Sequence, residues 1–287
     1  MWIVYALASA AFAGATSILA KVGISDCDSH VVTALRTGVV LVFSWLMVLI
    51  TGAQAGLAEL TGRTVLFLTL SGLATGASWL CYFKALQLGP VAKVAAVDKS
   101  STVLTILLAA LLLAEGLTPW KCAAVALIAA GTLLMLDLKP STATDRRGGR
   151  GWLVYAALSA VFAALTSILA KLGLQAVNSN LATALRTGVV LLMAWGMVFV
   201  TGKAKLVTRV RGRSLLFTAL SGIATGASWL FYYKALQMGP ASAVAPIDKL
   251  SILITVAFAR VFLGEKLSRK ALAGLAVLTA GTLLTLL

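Results

Sequence analysis

An all-α membrane protein is the fold class this sequence predicts, and three observations predict it: an apolar composition, long apolar runs, and a duplication covering the chain. Hydrophobic residues fill 60% of the 287 positions and charged residues 11%, with a mean hydropathy of +1.00. Those proportions lie far from a soluble globular norm. Apolar runs of about 18 residues or more recur along almost the whole chain, which is the length a helix needs to cross a hydrocarbon core. Most side chains must then face lipid or one another. The net charge of +15 raises the question of a nucleic-acid partner. However, the Lys and Arg residues sit in short interhelical segments with no soluble domain to carry a basic face, so the bilayer is the expected partner and nucleic acid is not.

The duplication has one offset throughout: Lys21 matches Lys171, Arg36 matches Arg186, Trp79 matches Trp229 and Asp98 matches Asp248, each 150 positions apart. About half of the paired positions in 2–137 and 152–287 are identical without a gap. The expected organisation is a first repeat at 1–138, a basic hydrophilic linker at 139–151 and a second repeat at 152–287. The linker holds KPSTATDRRGGR, whose Pro, Gly, Ser, Thr and Arg content cannot form a span. The first twenty residues resemble a signal peptide only superficially, because no basic region precedes them and the same stretch returns as Trp152 to Lys171.

Within the first repeat the pattern predicts helices over 2–22, 31–51, 64–87, 92–113 and 118–137, with the second repeat adding 150 to each. Turn chemistry separates them at Asp26 to His30, Thr51-Gly52, Gly89-Pro90 and Gly116 to Pro119. Five spans per repeat is an odd number, so the second repeat enters the bilayer from the opposite side. The expected architecture is ten transmembrane helices as two inverted five-helix repeats around a central cavity. Basic residues retained in both copies cancel in such an arrangement: Lys21/Lys171, Arg36/Arg186, Lys84/Lys234 and Lys99/Lys249. Of the remaining sixteen, fourteen lie with the linker and the 7–8 and 9–10 loops, opposed by Arg63 and Lys121. The linker is therefore expected in the cytoplasm and both termini outside.

Each repeat resembles one EamA-type unit of the drug/metabolite transporter superfamily. The resemblance is carried by LSGLATGASWLCYFKALQLGP with AVDKSS in the first copy, and by LSGIATGASWLFYYKALQMGP with APIDKLS in the second. Ala114-Glu115 or Gly264-Glu265 follows, and then AAGTLL or TAGTLL. Two departures are Ala96 where the second copy has Pro246, and Ala114 in place of Gly264. Known ten-helix members are described with both termini in the cytoplasm, whereas the charge distribution of this chain favours both outside. The resemblance implies secondary-active export of a small metabolite by alternating access, in a bacterial or archaeal inner membrane. A lipid-carrier flippase or a membrane scaffold shares the same composition and helix count.

The third helix of each repeat carries Ser71, Thr75, Ser78, Trp79 and Tyr82, repeated as Ser221, Thr225, Ser228, Trp229 and Tyr232. These steps lie along one helical face, so hydroxyls and ring faces line an expected substrate cavity, with Thr16 and Thr166 added from the first helices. Helix packing through Gly72 and Gly76 explains the same stripe. The charge and coupling candidates are Arg36, Arg186, Asp98, Lys99, Asp248, Lys249, Lys21 and Lys171. An arginine several residues inside a span is costly unless it meets water, an acid or an anionic ligand. Asp98 and Asp248 are read in the first turn after a Gly-Pro break, where capping or a lysine partner competes with a role in proton coupling. Lys21 and Lys171 close their helices, where interfacial anchoring competes with substrate contact. Neither first helix contains an acid, so a neutral, zwitterionic or anionic small molecule is favoured over a lipophilic cation.

No metal-ligand spacing, GxSxG or P-loop occurs, and the one histidine, His30, falls in a short loop read as solvated. Neither enzyme activity nor a cofactor or metal is expected. Cys27, Cys81 and Cys122 occur only in the first repeat and read as small apolar fillers. Oligomeric state is left open.

Overall fold

A computed structural model describes residues 1–24, 27–88, 97, 100–135, 151–254, 257 and 269–287. The linker at 139–150 and the pair Asp98 and Lys99 lie outside the described residues, as does the side chain of Lys21. Among the described residues the regular structure is entirely helical. The helices are α1 (Trp2–Ile24), α2 (Ser29–Ile50), α3 (Gly62–Leu88), α4 (Ser101–Leu112), α5 (Pro119–Met135), α6 (Gly151–Gly173), α7 (Ser179–Val200), α8 (Gly212–Met238), α9 (Ala241–Lys249) and α10 (Arg269–Leu284). Six of them, α1, α2, α3, α6, α7 and α8, are long and apolar enough to cross a membrane, and α4, α5 and α10 contribute shorter apolar stretches.

Local chemistry sets the ends of these helices. Asp28 caps α2 by accepting from the His30 and Val31 amides at 2.9 and 3.4 Å, and Asn178 caps α7 from the Asn180 amide at 2.9 Å. These bonds satisfy N–H groups that a helix start leaves without partners. The other ends stop at Thr51-Gly52 and Thr201-Gly202, where the glycines adopt φ of +67° and +68°. Such left-handed closure is open to glycine at little cost. His30 is not solvated, because it lies in the first turn of α2 with 7% of its surface exposed.

The chain packs as two compact units, each drawn from both repeats. The first comprises the described parts of Met1–Leu73, Leu169–Gly239 and Asp248–Glu265, and the second those of Ala74–Ile168, Pro240–Ile247 and Lys266–Leu287. In the first unit α1 runs antiparallel to α8: Trp2 meets Gly239, Ser9 meets Ser228, and Thr16 meets Thr225. Tyr5 and Phe12 stack on Phe231 with centroids 6.1 and 5.7 Å away. Helix α2 runs antiparallel to α7. Asp28 at its start pairs with Lys203 just beyond α7, and Thr51 at its end accepts from Asn180 near the start of α7.

The second unit repeats the α1–α8 pattern with the copies exchanged. Ser78 of α3 meets Ser159 of α6, and Thr75 meets Thr166, both at 3.2 Å. Here too α5 and α10 cross backbone to backbone. A Cβ on Gly131 would stand 2.5 Å from the Leu278 amide nitrogen, and one on Gly281 would stand 2.9 Å from that of Ile128. This close approach explains the glycine in AAGTLL and TAGTLL, since small residues let apolar helices gain van der Waals contact where no hydrophobic driving force separates them from lipid.

Two sequence readings are corrected by this architecture. The fourth-helix position of the second repeat is not one continuous helix over 242–263: α9 ends at Lys249, Leu250 is a turn, and helix resumes at 251–254. Pro246, inside α9, lacks an N–H and cannot continue the ladder normally. Asp248 therefore sits in the last turn of α9 and not the first. In addition, Arg63 and Arg213 are themselves a retained pair, each lying over a phenylalanine one turn on, with 5.7 Å to Phe67 and 5.5 Å to Phe217. Removing that pair takes one residue from each side of the charge count and leaves its bias unchanged.

Candidate functional site

The first unit buries a cation. Arg186 projects from α7 with 2% of its surface exposed. Its Nε donates to Ser71 Oγ at 2.8 Å, and its guanidinium carbon lies 5.3 Å from the Trp229 ring centroid and 4.8 Å from that of Tyr233. Planar and weakly hydrated, a guanidinium is suited to such a stack, and ring faces attract it electrostatically. Position comes from small residues. A Cβ on Gly72 would lie 3.2 Å from the Arg186 carbonyl and 2.7 Å from Val189 Cβ, so only glycine lets α3 bring Ser71 to this depth.

A carboxylate lies in the same unit. Ser9 of α1 donates to Asp248 Oδ1 at 2.6 Å, and its hydroxyl stands 3.2 Å from that of Ser228 on α8, which donates to the Ser9 carbonyl at 3.1 Å. Tyr233, buried on the same helix as Ser228, lies beside the guanidinium. Gly14 lets α1 lie against the segment after the break, where its Cβ would meet Ile254 at 2.7 Å.

The remaining candidates are spread over both units. Ser221 donates to the Thr218 carbonyl and Thr225 to the Ser221 carbonyl, at 3.1 and 2.7 Å, and Thr225 also reaches Thr16 at 3.4 Å. Trp79 and Tyr232 are half-buried, Tyr232 lying edge-on to Tyr233 at 5.3 Å. In the second unit Ser78 donates to the Ser159 carbonyl at 3.0 Å, and Thr166 to that of Phe162 at 3.0 Å. There Tyr82 packs with Val97 and Trp152 against Ala85 and Ala156. Arg36 is half-buried in α2, and Lys249 is exposed.

Lys171 reaches across to the end of α8 and donates to the carbonyls of Leu236 (2.8 Å) and Gly239. There a positive charge meets the negative end of a helix dipole and carbonyls without intrahelical partners. Gln237 reinforces the clasp by donating to the Leu174 and Val177 carbonyls at 3.2 and 2.8 Å.

Sequence reasoning misses two residues. Tyr233 breaks the repeat, standing where the first copy has Phe83, and that one difference is the available signal. Glu115 reads in the sequence only as a helix end. In the second unit its carboxylate accepts from the Ala241 and Ser242 amides at 2.7 and 2.9 Å, capping α9 with both oxygens. Ala114, with φ of +53°, turns the chain just before it. Glycine stands at the equivalent position 264.

Comparison with known proteins agrees with the membrane-transport reading. The EamA-like transporter family matches residues 1–137 and again 150–287. A Sinorhizobium sp. protein described as "Uncharacterized transporter in cobO 3'region" is 48% identical over 135 residues, covering 47% of this chain and 96% of the relative. A solved structure described as "Crystal structure of protein" superposes with a TM-score of 0.78 over 100% of this chain and 98% of its own, at 18% identity. That last likeness concerns the fold.

Proposed function

This chain belongs to the EamA-like transporter family, and from that premise we propose that it exports a small polar, zwitterionic or anionic metabolite by alternating access. In this reading ten membrane-crossing helices form two inverted five-helix repeats, with the linker in the cytoplasm, both termini outside, and the protein in an inner membrane. The supporting observation is Arg186, a guanidinium enclosed by Ser71, Trp229 and Tyr233 within an apolar span. Intramembrane ionisable residues mark transport pathways more often than they mark structure, and a guanidinium beside ring faces suits a carboxylate or phosphate on a compact solute.

The mechanism assigns Arg186 to the solute's negative group and Trp229 to its apolar body. Trp79 is assigned the equivalent role in the first copy. The antiparallel seams α1–α8 and α3–α6, built from paired serines and threonines, act as the surfaces that shift between the two access states. Hydroxyl pairs suit that task, because they exchange partners with little change in desolvation.

Purified protein in liposomes, offered a labelled panel of amino acids and short carboxylic and phosphorylated acids, tests the proposal. Saturable solute flux supports it, headgroup inversion without solute flux replaces it with a lipid flippase, and neither replaces it with a scaffold. The double substitution Trp79→Ala with Trp229→Ala is expected to abolish flux while the protein still inserts, and unchanged flux would refute the assignment of these rings to the substrate. Tags on either terminus, tested for accessibility from outside the cell, check the orientation.

A further inference from the structure

We propose that Asp248, Ser9 and Ser228 form a proton-binding site in the α1–α8 seam. The proposal rests on the transport reading and deepens it by naming a coupling ligand.

The hydroxyls are arranged in order. Ser228 directs its proton to the Ser9 carbonyl at 3.1 Å, and Ser9 directs its own to Asp248 Oδ1 at 2.6 Å. Both serines are buried, at 4% and 0% exposure, and the Ser9 hydroxyl ends on the carboxylate. Spacing identifies the ligand. The 2.6 Å between Ser9 and Asp248 is the length of a hydroxyl-to-carboxylate hydrogen bond, which a proton bridges. A proton fits.

Proton uptake forms one O–H bond on the carboxyl and breaks none in the protein, the proton coming from water. The acid then donates to Ser9 Oγ, which had been the donor. Ser9 is released to turn its hydrogen toward Ser228 Oγ, 3.2 Å away. The Asp248–Ser9 bond survives with its direction reversed while Ser228 keeps its bond to the Ser9 carbonyl, so a seam between helices of opposite repeats has two arrangements with the same atoms.

Among the described residues, charged and titratable groups face Asp248 from two helices. Lys249 adjoins it on its own helix and is exposed. From α8 comes the Tyr233 phenol, which also interacts with Arg186 of α7, and α1 contributes the neutral Ser9. The first repeat has Phe83 at the position equivalent to Tyr233.

Infrared difference spectroscopy on the full-length protein in lipid nanodiscs, titrated with pH, tests the site without requiring flux. A protonated-carboxyl band that titrates in the wild type is expected, absent in Asp248→Asn and displaced in pH in Ser9→Ala. In liposomes with an imposed pH gradient, Asp248→Asn should abolish gradient-driven stimulation of flux. Retention of both the band and the gradient response in Asp248→Asn would overturn the proposal. A wild type that moves no solute but shows the Asp248 band would instead sink the transport reading and leave the proton site standing.

Discussion

Arg36 and Arg186 stand in identical TALRTGVVL segments, and the backbone treats them alike. A Cβ on Gly222 would lie 3.0 Å from the Arg36 carbonyl and 2.7 Å from Val39, while one on Gly72 would lie 3.2 Å from the Arg186 carbonyl and 2.7 Å from Val189. The side chains part company. Arg186 is buried against Ser71, Trp229 and Tyr233, whereas Arg36 is half-buried and Ser221, the equivalent of Ser71, bonds the Thr218 carbonyl of its own helix. Duplication thus preserves helix contact more strictly than polar environment, so asymmetry within a symmetric frame marks where the two copies differ in role.

The largest expected effect breaks the comparison at its centre. Arg186→Ala empties a packed site and removes one partner of Ser71, for an expected loss of about 2–4 kcal/mol and near-complete loss of flux. Arg36→Ala, starting partly exposed, should cost less than half as much. Melting in detergent and liposome flux read the two quantities. Equal losses for both arginines would show that the asymmetry of their surroundings carries no function. Arg186→Lys separates charge from shape, because an ammonium keeps the charge but cannot stack or present the Nε donor. It should recover stability more than flux.

A smaller effect tests the part of the frame that is shared. Gly72→Ala and Gly222→Ala each force a methyl group against a valine Cβ 2.7 Å away and a carbonyl. Over-packing of this kind costs about 1–3 kcal/mol, and the two variants should agree closely. Gly38→Ala and Gly188→Ala, where nothing lies within 4 Å, are the matched controls and should raise stability slightly, by up to about 1 kcal/mol, because alanine is the better helix former. Unequal values for Gly72 and Gly222 would mean that the backbone frame is itself asymmetric.

Much of this frame is legible in the sequence, and the illegible parts share a cause. The ends of α1, α2, α3, α6, α7 and α8 come from apolar length and from local signals at Asp28, Asn178 and the Thr-Gly pairs, all of which act within a few residues. What periodicity does not report is contact across repeats. The stripe at Ser71, Thr75 and Ser78 reads as one face, yet Ser71 bonds Arg186 of α7 while Thr75 and Ser78 bond α6. Glu115 is not recognisable as the cap of α9 without Ala114's positive φ and a partner 126 residues away. The interruption after α9 has a local signal in Pro246, but its weight lies in the missing N–H donor and not in the family pattern it matches.

The smallest expected effect lies at the two ends of the α2–α7 pair. At one end Asp28 pairs with Lys203 at 2.7 Å, and at the other Thr51 meets Asn180 through a neutral hydrogen bond of 3.1 Å. The positions equivalent to Asp28 and Lys203 are Asn178 and Ala53, so the ion pair has no counterpart. Burial disfavours the charged Asp28 carboxylate, but the Lys203 ammonium and the amides of His30 and Val31 outweigh it and hold Asp28 below its ordinary value. Linkage gives the sign: a lowered folded pKa gives stability that is present above the unfolded value of about 3.9 and lost as the pH falls through the folded value. Partly exposed pairs contribute about 0.2–1 kcal/mol. Lys203→Ala should therefore lower the melting temperature slightly at neutral pH, with the difference from wild type shrinking toward zero in acid. A gap that stays constant down to acid pH would assign the Lys203 effect to packing of its alkyl chain, and the two ends of α2 would then be held by contacts of the same kind.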